Sequence, residues 1–446
     1  NEALAEFKRA VELKRDWAEA HNALGDTLLS LNRYDEASAE YQQTVRLQPN
    51  NAGAYSSLGY AYDQLGRSNE SITALRNSVR LKPDDPVAYN NLGASLYKAG
   101  RYQEAIEAFS NSVRLKPNDA DALNNLGAAY YVAEQYSRAL ENFSRAAAIK
   151  SDSSEIQYNL GNAYYMSGNY RDSTTAYRKA LQINPDYVDA RTNLGSLLIA
   201  SADYPQAITE LQTSIRRKAD NPVAHNNLGF AYVKLGETLD RTRAVENFRK
   251  AVDSYREALR LKPDYVKALN NLGAVYNKLG QYQEAVGVLQ QATRANPNFV
   301  EAQYNLGTAF YNLGQFNDAI IALQRAVSLK ADYFEAYNSL GTSLYRAQQF
   351  DKAIDAYRKT LSLRPNNPET HNNLGTVFFR TKKYQDAATS FKEAIRIKPD
   401  YGEAHFNLAM TYVALGDTKG ALSEYEKLKT LDKKLADDFF QRFLKK

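Results

Sequence analysis

The sequence predicts an all-α protein, an α-solenoid built from helix-turn-helix repeats. Three observations predict it: a Leu-Gly pair that returns every 34 residues, two apolar stripes of helical spacing inside each period, and glycine or proline where each stripe stops. The pair's glycine falls at Gly25, Gly59, Gly93, Gly127, Gly161, Gly195 and Gly229, then at Gly273, Gly307, Gly341 and Gly375, with Ala409 in the last unit. The one irregular step, from Gly229 to Gly273, is 44 residues, which is 34 plus an insertion of 10. Twelve units result.

Residues 86–119, PVAYNNLGASLYKAGRYQEAIEAFSNSVRLKPND, serve as the reference repeat, with Pro86 as position 1. In the first helix, Tyr89, Leu92, Gly93 and Leu96 (positions 4, 7, 8 and 11) share one face at about 100° per residue. In the second, Ala105, Phe109 and Ser112 (positions 20, 24 and 27) do the same. Gly100 ends the first helix and Pro117 follows the second, while Pro86, Pro222 and Pro368 take the first helical position, where no N–H is needed. A glycine inside a helix costs roughly 1 kcal/mol relative to alanine. A row of them at position 8 therefore implies that another helix approaches too closely for a side chain.

This pattern resembles the tetratricopeptide repeat, with its aromatic, Leu-Gly, tyrosine, alanine, aromatic, alanine and proline positions. The proline stands at Pro49, Pro83, Pro117, Pro185, Pro263, Pro297, Pro365 and Pro399, and is replaced at Ser151, Ala219, Ala331 and Lys433. The resemblance covers essentially the whole chain and implies a right-handed superhelix whose first helices line the concave side.

Taken in order, residues 1–17 read as the second helix of a partial repeat, with Ala3, Phe7 and Ala10 at second-helix spacing. Residues 18–221 hold six repeats, and 222–265 the seventh with its insertion. That insertion lies within residues 237–246; Ala244, Phe248, Ala251, Tyr255 and Ala258 step by 4, 3, 4 and 3, so the second helix should start about two to three turns early and its tip project. Residues 266–433 hold five repeats, the last at 402–433. Residues 434–446 carry Leu435, Ala436, Phe439, Phe440, Phe443 and Leu444 on one face, similar to the family's C-terminal capping helix.

Composition excludes several functions. A net charge of +5 without runs of like charge does not imply nucleic acid, and no apolar stretch approaches the roughly 18 residues of a membrane span. The absence of cysteine removes disulfides, thiolate zinc sites and thiol nucleophiles, and suits an exported bacterial protein. His21, His225, His371 and His405 all fall at position 4, a packing slot, and His371 with His405 lack a third metal ligand. No phosphate loop, nucleophile elbow or zinc-protease motif is present. A non-enzymatic chain without a cofactor is expected.

Function should lie on the face of the first helix opposite the core, at positions 2, 5, 6, 9 and 13. Position 6 is a row of Asn91, Asn125, Asn159, Asn193, Asn227, Asn271, Asn305, Asn373 and Asn407. Each amide offers a donor and an acceptor, so such a row can hold the backbone of an extended peptide, or can bond to the neighbouring repeat. It is similar to the asparagine row of O-linked N-acetylglucosamine transferase, although no glycosyltransferase domain accompanies it here. Position 12 supplies Tyr97, Tyr131 and Tyr165, then Tyr311, Tyr345 and Phe379, either bordering the groove or packing between helices. Lys98, Lys234, Lys278, Arg346 and Arg380 at position 13 would favour an acidic ligand or simply face solvent. The family's carboxylate clamp is not matched: position 5 offers Asn90, Asn124, Asn226 and Asn270 but never lysine, and only Asn162 supplies asparagine at position 9.

A scaffold for a protein or peptide segment is the leading expectation. A head-to-tail polymer is the rival, with Phe439, Phe440 and Phe443 docking near Phe7 of the next copy. A regulatory array of a larger enzyme is the third. Asn69-Glu70-Ser71 and Asn142-Phe143-Ser144 match the glycosylation pattern by chance within helices.

Overall fold

The computed structural model describes residues 2–445, and every regular element among them is helical. They form two compact units, Asn1–Arg217 and Lys218–Lys446. In the first unit the helix Glu2–Leu13 precedes six helical hairpins, from Ala18–Ser30 with Tyr34–Leu47 to Val188–Ala200 with Tyr204–Arg217. The second unit begins with Pro222–Glu237 paired to Arg241–Leu261 and continues through five more hairpins to Gly402–Leu415 with Thr418–Leu431. Helix Lys433–Phe439 follows and runs into a π-helical turn, Phe440–Leu444. Inside each unit a helix packs on its hairpin partner and on the nearest helices of the adjoining repeats. No helix among the described residues is long and apolar enough to cross a membrane.

Local chemistry sets the boundaries. The Asp85 carboxylate accepts from the Val87 and Ala88 N–H groups at 3.0 and 3.2 Å, capping the helix that Pro86 opens. At its other end Gly100 turns left-handed, with φ of 74°, so that the Arg101 N–H reaches the Leu96 carbonyl at 2.9 Å. Asn32, Glu134, Ala202, Gln348 and Lys382 adopt the same left-handed turn without being glycine, at φ of 58–60°. Each costs on the order of 1 kcal/mol, so hairpin packing, rather than the local residue, imposes the turn.

The glycine row has its cause in the partner helix. A Cβ on Gly93 would sit 2.6 Å from the Phe109 ring, on Gly127 2.7 Å from Phe143, and on Gly195 2.6 Å from Leu211. Position 24 thus plugs into the notch at position 8 throughout, as Tyr, Leu or Phe. Where position 24 is tyrosine its hydroxyl needs a partner: Tyr41 finds Asp26 at 2.7 Å, Tyr177 finds Asn162 at 2.6 Å and Tyr357 finds Thr342 at 3.0 Å, all from position 9. In the seventh repeat Phe230 takes that position, and the buried Tyr255 hydroxyl has no hydrogen-bond partner among the described residues. Ser112, polar on a core face, donates to the Pro86 carbonyl at 2.8 Å.

The histidines close repeat ends. His21, His225 and His405 are buried, and each of the four turns Nε2 to the carbonyl six residues earlier, Arg15, Ala219, Pro365 or Pro399. His21 and His405 also engage carboxylates of the second helix, Glu40 at 2.6 Å and Glu424 at 2.5 Å.

The insertion is divided between both helices of its hairpin. The second, Arg241–Leu261, has 21 residues where its neighbours have 14, and the first, Pro222–Glu237, has 16 instead of the usual 13. Gly236 stays helical instead of turning left-handed, and Asp240 caps the second helix through the Thr242 and Arg243 N–H groups.

Candidate functional site

The asparagine row is an inter-repeat ladder built on adjacent asparagines. Asn125 Nδ2 donates to Asn90 Oδ1 at 3.1 Å, and Asn159 to Asn124 at 2.9 Å. In the second unit the same bond joins Asn271 to Asn226, Asn305 to Asn270 and Asn407 to Asn372 at 2.9–3.1 Å. Asn193 instead reaches the position-9 amide of Asn162 at 3.0 Å and the Tyr158 hydroxyl at 3.3 Å. Asn91, Asn227 and Asn373 are half-buried like the rest of the row.

Position 5 departs from the sequence expectation that it faces the groove. Asn124, Asn226, Asn270 and Asn372 are buried, because three residues before the core glycine is only about 60° from it around the helix, toward the next repeat. The acceptor half of the ladder was nevertheless visible in the sequence as the recurring Asn-Asn pair, at 90–91, 124–125, 226–227, 270–271 and 372–373.

The position-12 aromatics pair within their own hairpin, with the ring that opens the second helix. Tyr97 meets Tyr102, Tyr131 meets Tyr136 and Tyr165 meets Tyr170 with centroids 5.4–5.6 Å apart. Tyr311 with Phe316, Tyr345 with Phe350 and Phe379 with Tyr384 repeat this at 5.4–5.9 Å. Burial, with the neighbouring hydroxyl, raises the pKa of Tyr97 and Tyr131.

Most of the position-13 cations have partners. Lys98 is 2.6 Å from Asp63 of the preceding repeat, and Lys234 and Lys278 each lie 2.9 Å from Glu237. Burial would raise the Glu237 pKa, but hydrogen bonds from the two lysines hold it below the usual value. Arg346 stacks over Phe316 at 4.8 Å, and Arg380 is exposed.

These rows converge where two repeats meet. A cavity of about 190 Å³ is lined by Ala94, Tyr97, Lys98 and Phe109 of one repeat and Asn125 and Ala128 of the next. The bond to Asn90 fixes the Asn125 amide and leaves its carbonyl oxygen for another donor.

The end residues are partly consumed within the chain. Phe439 is completely buried against Phe406 and Tyr425, and Phe7 is half-buried on the first core cluster. Phe440 and Phe443 remain exposed, at 39% and 40%; the side chain of Leu444 lies outside the described residues. Asn142, of the second sequon, is buried with Nδ2 donating to the Arg138 carbonyl at 2.9 Å.

The TPR repeat profile matches residues 25–66, 64–100, 95–132, 133–168, 161–201, 196–236, 243–280, 275–314 and 308–348, and two further tetratricopeptide-repeat profiles match 338–402 and 378–436. The chain belongs to the tetratricopeptide-repeat family. Arrays of this family are typically scaffolds for protein–protein interaction and generally non-catalytic. No curated protein matches the sequence. Among solved structures, the APC/C hetero-tetramer Cut9-Hcn1 is 14% identical over 96% of both chains, with a TM-score of 0.49. YrrB, described as a tetratricopeptide protein with an unusual peptide-binding site, is 24% identical over 44% of this chain and 95% of its own, with a TM-score of 0.38. MamA is 31% identical over 36% of this chain and 94% of its own, with a TM-score of 0.34.

Proposed function

We propose that this tetratricopeptide protein is a non-enzymatic scaffold that holds an extended segment of a partner protein along the face of its first helices. The observation that carries the reading is the cavity between adjacent repeats where Tyr97, Lys98 and Asn125 meet. The asparagine ladder gives it a mechanism. The amides of Asn125, Asn159, Asn193, Asn271, Asn305 and Asn407 are oriented by the preceding repeat, so little side-chain entropy is lost when an amide oxygen, as on Asn125, accepts a peptide N–H. The paired tyrosines add an apolar wall for a ligand side chain, and the Lys98–Asp63 pair sets the polar edge.

Blocking the cavity without touching the ladder tests this. Ala94 and Ala128 line it with methyl groups alone. Extended peptides selected from a random display library on the native chain should lose at least tenfold in affinity for Ala94→Arg/Ala128→Arg, measured by calorimetry with helicity unchanged. Retained affinity would remove this face as the binding surface.

A further inference from the structure

The insertion creates a second candidate site, chemically unlike the first-helix face. Because Arg241–Leu261 is 7 residues longer than its counterparts, it overhangs the next hairpin by about 10 Å, at 1.5 Å per residue. Under the overhang opens a cavity of about 580 Å³, walled by one face of that helix and floored by the last turn of Val266–Leu279 and the residues just after it. Its cations are Arg241, Arg249 and Arg256, against the one lining carboxylate of Asp253; Lys278, also on the lining, is already paired with Glu237 at 2.9 Å.

The charges on this helix are sorted by direction. Cations off the cavity are neutralised: Arg243 by Asp240 at 3.2 Å, Lys250 by Glu246 at 2.7 Å and Arg260 by Glu257 at 2.6 Å. On the cavity, Arg241 and Arg249 have no carboxylate within ion-pair distance among the described residues, and Arg256 donates only to the neutral Tyr276 hydroxyl at 2.9 Å. Arg241 also sits in the first helical turn, where a cation opposes the helix dipole. An anion in the cavity would relieve both conditions.

Spacing selects the kind of anion. Arg241, Arg249 and Arg256 are 8 and 7 residues apart, or about 12 and 10 Å along the helix. One phosphate or one carboxylate cannot reach all three, since Arg241 and Arg256 lie about 22 Å apart along the helix. An extended peptide rises about 3.3 Å per residue, so acidic side chains every three to four residues meet successive arginines. Between them, Phe248 and Leu279 offer an apolar seat.

We propose that this overhang cavity is a charge-selective docking site for an extended acidic peptide segment, separate from the first-helix face. The probe is a fluorescein-labelled twelve-residue peptide with glutamate at every fourth position and one phenylalanine between, followed by anisotropy. Binding to the full chain is expected, weakening with salt. It should fall at least tenfold in Arg241→Gln/Arg249→Gln and on deletion of residues 238–247, which restores the 34-residue period. Circular dichroism checks that both variants remain helical, and Ala94→Arg/Ala128→Arg should leave this binding unchanged. Three outcomes would overturn the proposal: equal binding of the glutamine version of the peptide, undiminished binding by the double arginine variant, or displacement by a single-stranded oligonucleotide of equal charge at lower concentration.

Discussion

At the scale of single residues, the repeat rests on one notch and one plug. The Gly127 notch receives Phe143, which is itself buried, and the cost of a helical glycine is offset by burying an aromatic ring against bare backbone. Gly127→Leu should therefore overpack the hairpin and lower stability by roughly 1 to 3 kcal/mol, seen as a lower urea midpoint; an unchanged midpoint would mean the ring moves away freely. The notch was legible because glycine in a helical stripe is costly and recurred in phase. The left-handed turns at Glu134, Ala202, Gln348 and Lys382 were not, since nothing in those side chains marks a positive φ. Position 5 was misassigned for a geometric reason: a wheel drawn for one helix separates core from solvent but does not contain the neighbouring repeat that buries Asn124 and Asn372.

At the scale of elements, the two helices of the last hairpin are joined through a titratable pair. Burial alone would lower the His405 pKa, but hydrogen bonds to Glu424 and the Pro399 carbonyl, with the Glu424 charge, raise it above the ordinary 6.5. Burial alone would raise Glu424, but the hydrogen bonds and charges of His405 and Lys427 hold it below the ordinary 4.5. The histidine's contribution is complete below pH 6.5 and is lost as pH rises through its folded pKa. The glutamate's contribution is present above pH 4.5 and is lost as pH falls through its folded pKa. Hydrogen-exchange protection of Gly402–Leu415 should thus peak between those two values and decline on either side. In His405→Leu the decline on the alkaline side should vanish; its persistence would locate the effect elsewhere. The sequence placed His405 in a packing slot correctly, but its partner is 19 residues away on the second helix and became visible only when the hairpin closed. The insertion behaved likewise: the apolar steps from Ala244 to Ala258 signalled a longer second helix, whereas the sorting of arginines onto one cavity required the adjoining repeat.

At the scale of the whole molecule, the question is whether copies associate end to end. The terminal aromatic face suggested it in the sequence, since six apolar side chains shared one side of the last segment. Folding withdraws three of them: Ala436 and Phe439 are buried in the final core cluster and Leu435 packs against it. Among the described aromatics of that face, Phe440 and Phe443 remain, each about two-fifths exposed. Two rings that would bury roughly 150–250 Å² each then leave on the order of 150 Å² of apolar surface. That is within what ordinary monomers expose, and far short of the roughly 1,000 Å² total of a stable interface. We therefore expect size-exclusion chromatography with light scattering to give the monomer mass of 50.1 kDa from micromolar to near-millimolar concentration. A mass that climbs with concentration, and returns to the monomer in Phe440→Ser/Phe443→Ser, would instead make the cap an assembly surface. In that case the residual exposure of these two rings is the contact itself and not the unburied edge of a cap.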